Sequence, residues 1–169
     1  MERRKFLRSS LFHIVLLAVL IAADQLVKLW ARTALKNAPL ILWKDVFSLR
    51  LVYNTGGPWG VMGGHTVLLT LFSVIVLVIV IFAYLWLPKS ARMRLLRFCI
   101  ALITAGAVGN IIDRIMFGRV TDMFSFDLIQ FPVFNVADSC IVCGCILACY
   151  LLIFYYKDED FNKWKKSNS

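Results

Sequence analysis

The chain has 169 residues, of which 60% are hydrophobic and 17% charged. An average soluble domain is about 45–50% apolar and about 25% charged, and one of this length could not bury so much apolar surface. Intrinsic disorder and a large multidomain enzyme are excluded by the same figures, which leave a small integral membrane protein. The net charge of +9 is unevenly carried: Arg3, Arg4, Lys5 and Arg8 precede the first apolar run, Lys89, Arg92, Arg94 and Arg97 fill a linker, and Lys157, Lys163, Lys165 and Lys166 fill the tail. Charges that flank apolar runs in this way follow the positive-inside rule. No basic-aromatic stripe accompanies them, so no nucleic-acid partner is expected.

The first apolar run, Ser9–Ala23, is 15 uncharged residues ending at Asp24. A helix of that length covers about 22 Å, short of the roughly 30 Å hydrocarbon layer. Either the helix continues through Asp24, to a span of about 9–30, or the bilayer thins locally. The N-terminus has the basic start and apolar core of a secretory signal. Three more apolar runs follow, so it reads as an uncleaved first span. A lipoprotein attachment signal needs a cysteine just after such a core, and the first cysteine is Cys99.

The segment of about 37–65 contains Val46–Tyr53, whose alternation places Phe47, Leu49, Leu51 and Tyr53 on one face of a strand. Gly56, Gly57, Gly60, Gly63 and Gly64 then form a flexible connection. A half-apolar strand there would lie in the membrane interface, where it could meet an extended substrate; a plain structured loop fits the pattern equally. The second span, Thr66–Leu87, is 22 residues without a charge. The third, about 97–117, holds the uncharged run Phe98–Ile112 that ends at Asp113, and a connector of about 118–135 carries Asp122. The fourth, about 136–156, has Asp138 at its head, before the uncharged Ser139–Tyr156. Ala101, Ala105 and Gly109, and likewise Cys140, Gly144 and Ala148, repeat every four residues, the spacing that lets helices approach closely in lipid. Trp30, Trp86, Tyr155 and Tyr156 mark span ends.

The expected fold is an all-α membrane protein, one domain over 1–169, with four transmembrane helices and a small extracytoplasmic β-rich element between the first two. Four spans put both termini on one side, the cytoplasmic one by the charge rule. Asp24, Asp113 and Asp138 then collect at one depth near the outer face.

Asp122 and Asp138 lie sixteen positions apart, and Pro132 breaks the chain between them, so the connector can fold back and bring them together. Two close carboxylates cannot both ionise; one keeps a proton while the other is a base. Such a pair activates water and protonates a leaving amine, which is peptide hydrolysis without a metal or covalent intermediate. Each carboxylate also has a structural reading. Asn135 suits a helix N-cap, with Asp138 as a first-turn acid, and Asp122 could be a solvated loop residue. Asp24 and Lys28 are spaced as a helix ion pair, and Asp113 with Arg114 as an interfacial one. Cys140-Ile-Val-Cys143 is formally a C-x-x-C, but zinc needs four converging ligands. Together with Cys145 and Cys149 these read as small buried hydrophobes. His13, deep in the first span, and His65 have no evident partner.

Five blocks fall in a familiar order: Asp24-Gln-Leu-Val-Lys28, Asn54-Thr-Gly56, Gly109-Asn-Ile-Ile-Asp-Arg114, Val120-Thr-Asp122 and Phe131-Pro-Val-Phe-Asn-Val-Ala-Asp138. With four spans, the chain resembles the bacterial lipoprotein signal peptidases (signal peptidase II) over nearly its whole length. The resemblance implies an aspartic endopeptidase of the bacterial cytoplasmic (inner) membrane. It would remove the signal peptide from prolipoproteins whose lipobox cysteine carries diacylglycerol, cleaving before that cysteine, and would be inhibited by globomycin. Asp122 and Asp138 match the catalytic aspartates. Asn54, Gly56, Asn110, Arg114, Asn135 and Ala137 match other active-site positions, and Asp24 and Lys28 match the pair in the first helix, with Asp113 beside them in support. Where many members read Ala-Ala-Phe, this chain has Gly57-Pro58-Trp59, and Met123 replaces a common Phe. No cofactor or metal is implied. The partners are lipid-modified prolipoproteins and membrane lipid, and a monomer is expected. The rival class is a small ion- or proton-coupled transporter using Asp24, Asp113 and Asp138, although such proteins usually hold their charges at the midplane between repeats.

Overall fold

The computed structural model describes residues 2–57, 59, 62–88, 90–129 and 131–161, with side chains from residue 10 onward. The side chains of Arg3, Arg4, Lys5 and Arg8, and the residues Pro58, Gly60, Lys89, Lys163, Lys165 and Lys166, lie outside the described residues.

Among the described residues, four helices are long and apolar enough to cross a membrane. Helix α1 is Glu2–Ala34, α2 Thr66–Trp86, α3 Arg94–Phe117 and α4 Val136–Tyr150, the last continuing as a π-helical turn over Leu151–Tyr155. Helix α1 runs ten residues past Asp24, which settles how its 15-residue apolar core reaches across the bilayer. Its buried positions His13, Asp24, Lys28 and Ala31, continued by Leu35 just past its end, form one stripe at helical spacing. Helix α2 buries no residue at all, as a span coated by lipid can, because its backbone polar groups are satisfied within the helix. Helix α3 is the hub, packing against α1, α2 and α4, with buried residues from Leu96 to Asp113.

Small residues set the closeness of these contacts. A Cβ added to Gly106 would sit 2.2 Å from the Ala137 carbonyl oxygen, and one on Gly144 would sit 2.9 Å from that of Cys99. Ala101, Ala105 and Gly109 of the expected ridge are all buried. The cysteine expectation is corrected: Cys143, Cys145 and Cys149 are exposed free thiols on the outside of α4, and of the five cysteines Cys99 is the buried one. Helix α4 buries Ala137 and Gly144 on one face, and Cys143, Cys145 and Cys149 stand about 100° or more around the helix from Gly144. His13 also finds a partner that sequence spacing could not show, since its Nδ1 lies 3.3 Å from the Tyr84 hydroxyl of α2.

The sheet is three-stranded and antiparallel, in the order β1 (Leu40–Trp43), β2 (Phe47–Asn54) and β3 (Val120–Phe126). Its third strand comes from the α3–α4 connector and not from the α1–α2 segment alone. Gly118, at φ +66°, caps α3 in the left-handed region and turns the chain straight into β3. Phe47 pairs with Phe126 and Leu49 with Phe124, then the register shifts before Val52 pairs with Asp122 and Asn54 with Val120. That irregularity breaks the expected single apolar face. Leu49 and Leu51 pack on Ala31, Leu35 and Met123, while Tyr53 turns outward beneath Arg119, whose guanidinium carbon lies 3.6 Å from the ring centroid. Phe134 pairs with the far edge of β3 at Phe124 and so returns the chain to the head of α4.

Candidate active site

Asp122 lies two residues into β3 and is 1% exposed. Its Oδ2 accepts from Asn54 Nδ2 at 3.1 Å and its Oδ1 from Asn135 Nδ2 at 2.6 Å. Burial, followed by the charge of Asp138, pushes its carboxyl up to about 6, against the opposing pull of the Asn54 and Asn135 hydrogen bonds. Asp138 is the third residue of α4 and forms a capping box with Asn135. Its Oδ2 accepts from the Asn135 backbone N–H at 3.1 Å, and the Asn135 side-chain oxygen accepts from the Asp138 N–H at 2.9 Å. Asn135 therefore caps the helix with its oxygen and holds Asp122 with its nitrogen.

Asn110 of α3 completes the frame. Its Nδ2 donates to Asp138 Oδ1 at 2.8 Å, while its Oδ1 accepts from Lys28 Nζ at 2.9 Å and from Asn135 Nδ2 at 3.1 Å. Two donors on the amide oxygen leave one orientation for this side chain, with its NH2 toward Asp138. Gly56 orients Asn54 in the same manner, its N–H donating to Asn54 Oδ1 at 3.0 Å and leaving Nδ2 for Asp122.

Behind this pair lies a buried ionic cluster. Lys28, 0% exposed, is 2.9 Å from Asp24 and 3.8 Å from Asp113. Asp24 Oδ1 accepts the backbone N–H of Ala137 at 2.9 Å, one residue before Asp138. The close approach at Gly109, where an added Cβ would stand 2.5 Å from Asp24 Oδ2, makes room for that carboxylate. Of the expected pairs, Asp24–Lys28 forms. Asp113–Arg114 does not, because successive helix positions diverge by about 100°. Asp113 faces Lys28 and Arg32, the latter at 3.7 Å, while Arg114 turns to α2 and donates to Ser73 Oγ at 3.2 Å.

Two members of the cluster escaped the sequence reading. Gln25 Nε2 reaches Asp24, the Gly109 carbonyl and Asp113, and Arg32 donates to Thr121 Oγ1 at 3.0 Å. Arg32 follows Lys28 by four positions, as Lys28 follows Asp24, so a polar stripe along α1 was the available signal. Among the described residues, no group of three or more His, Cys, Asp or Glu side chains is placed to hold a metal ion. The site thus offers two carboxylates from different elements, joined through one asparagine and held by neutral amides, with a guanidinium nearby. Such an arrangement can handle protons on a bound water and on a substrate together.

The family model of Signal peptidase (SPase) II matches residues 16–154. The chain belongs to the signal peptidase II family. The chain is 37% identical to a lipoprotein signal peptidase of Clostridium acetobutylicum over 155 residues, 88% of this chain and 97% of that protein. It is 39% identical to one of Deinococcus radiodurans over 148 residues, 80% and 76% of the two chains. Its fold resembles that of a bacterial membrane enzyme solved by the in meso method at 2.3 Å resolution, with a TM-score of 0.74 and 25% identity over 87% of this chain and 92% of that one. As a signal peptidase II it is a bacterial membrane protease, and the buried polar site lies inside the matched region.

Proposed function

We propose that the protein removes the signal peptide from diacylglyceryl-modified prolipoproteins, hydrolysing the bond before the lipidated cysteine with water activated by Asp122 and Asp138. The carrying observation is Asn135, which donates to Asp122 through its side chain and to Asp138 through its backbone, so one residue couples both carboxylates. In this reading the pair holds one proton and titrates as a unit. The ionised member takes a proton from water as the water oxygen bonds to the scissile carbonyl carbon. The protonated member passes its proton to the departing nitrogen as the C–N bond breaks, and the pair returns to its starting charge. Asn54 and Arg114 hold the substrate backbone or the developing oxyanion. Asn110, Gly56, Asn135 and Ala137 keep the frame, and Asp24, Lys28 and Asp113 fix α1, α3 and α4 around it. Both termini face the cytoplasm, the site lies near the outer leaflet so that the substrate's acyl chains stay in lipid, and the chain works as a monomer.

The test uses purified protein, a lipid-modified prolipoprotein and a chelator. Cleavage persists with chelator, and Asp122→Asn or Asp138→Asn each lowers it by about 100-fold or more while membrane insertion is unchanged. An Asn variant that cleaves at the wild-type rate ends the dyad assignment. A protein that cleaves nothing reopens ion transport.

A further inference from the structure

We infer that Arg32 is a positioning residue for the reaction, acting through Thr121 on the aim of Asp122; the inference rests on Asp122 being catalytic. Strand β3 starts just past the left-handed Gly118, a residue free to pivot, and its first residues pair with Asn54 and Tyr53 on one edge only. Beyond its pairing with Tyr53 of β2, Thr121 is held at two further points. Its backbone N–H donates to Asp113 Oδ2 at 2.8 Å and its hydroxyl oxygen accepts from Arg32 Nη1 at 3.0 Å. The same guanidinium lies 3.7 Å from Asp113 Oδ1 and 4.5 Å above the Phe117 ring. One planar fork thus spans an anion, a hydroxyl and a ring face, the kind of site that the point charge of a lysine does not fill.

Alternation along the strand converts this grip into aim. Neighbouring side chains point to opposite faces, so Thr121 held toward α1 and α3 sends Asp122, equally buried, to the other face and to Asn54 and Asn135. Lys28 lies 3.8 Å from Asp113 and leaves that carboxylate a cation in Arg32→Met, so the variant is expected to keep its bundle. The consequence falls on the placement of Asp122, and a displacement near 1 Å at a reacting group is enough to slow chemistry markedly.

The experiment measures kcat and KM on a lipid-modified prolipoprotein for Arg32→Met, Thr121→Val, their double variant, Thr121→Ser and Asp122→Asn, with detergent melting curves for each. Arg32→Met and Thr121→Val each lower kcat by about tenfold with KM and melting midpoint close to wild type. The double variant falls no further than either single one, since both cut the same bond, and Thr121→Ser retains the wild-type kcat. Wild-type kcat in both single variants beside an inactive Asp122→Asn overturns this inference alone. So do multiplying losses in the double variant, a change confined to KM, or a loss that tracks unfolding. An active Asp122→Asn overturns the dyad reading instead.

Discussion

Asp122 shows how far a single residue is shaped by its surroundings. Its carboxyl, ordinarily near 3.8, is raised to about 6 by burial and by the charge of Asp138. Between those two pH values the folded protein binds more protons at this site than the unfolded chain. Stability therefore falls as pH rises through that window and stays lower above it. The size of the effect is on the order of 2–3 kcal/mol. Asp122→Asn cannot ionise, so its stability relative to wild type should improve by that order between pH 4 and pH 7. Detergent melts at the two pH values measure it, and an equal gap at both would remove burial as the cause. Asn135 carries a lesson of the same scale. Its N-cap role was legible in the order Asn135-Val-Ala-Asp138, because capping is local. Its second bond, to Asp122, was not, because it depends on where β3 lies.

Among the elements, α3 and α4 meet through glycines whose replacement can be ranked. At Gly106 the obstacle to a Cβ is the Ala137 backbone carbonyl, 2.2 Å away, and backbone yields little. Gly106→Ala should cost about 1–3 kcal/mol of stability and also activity, since it pushes α3 from the turn of α4 that bears Asp138. At Gly118 no atom lies within 4 Å and the difficulty is its positive φ alone, so Gly118→Ala should cost about 1–2 kcal/mol. Melting curves and cleavage rates for the two variants check the ranking; equal activity losses would count against the α3–α4 contact as the sensitive one. The ridge through Ala101, Ala105 and Gly109 was legible from its four-residue repeat. Gly106, off that repeat, was not. Strand β3 was likewise hidden, because it exists as a strand only by pairing with β2 across the chain.

For the whole molecule, the Asp24–Lys28–Asp113 cluster joins α1 to α3 and, through the Ala137 N–H, to α4. Removing Lys28 takes the ion-pair partner from the buried Asp24 and leaves Asp113 with Arg32 alone. Lys28→Met should therefore destabilise by about 3–5 kcal/mol, and it also removes one of the two donors that orient the Asn110 amide toward Asp138. A melting midpoint near that of wild type would show that the cluster is not what binds the helices. Joining helices through polar groups suits a lipid setting, where apolar faces such as that of α2 gain little from each other.

Four apolar helices long enough to cross a membrane were legible in the sequence alone. Transfer into lipid is a local property, summed along a run of side chains, and needs no partner to be read. The polar pairings were decided by the tertiary structure. Asn54 meets Asp122 across 68 positions, and Asp113 takes Lys28 and Arg32 in place of its neighbour Arg114. Hydrogen bonds and ion pairs depend on distance and direction within a few tenths of an ångström, and those are set only once helix packing and strand register are in place.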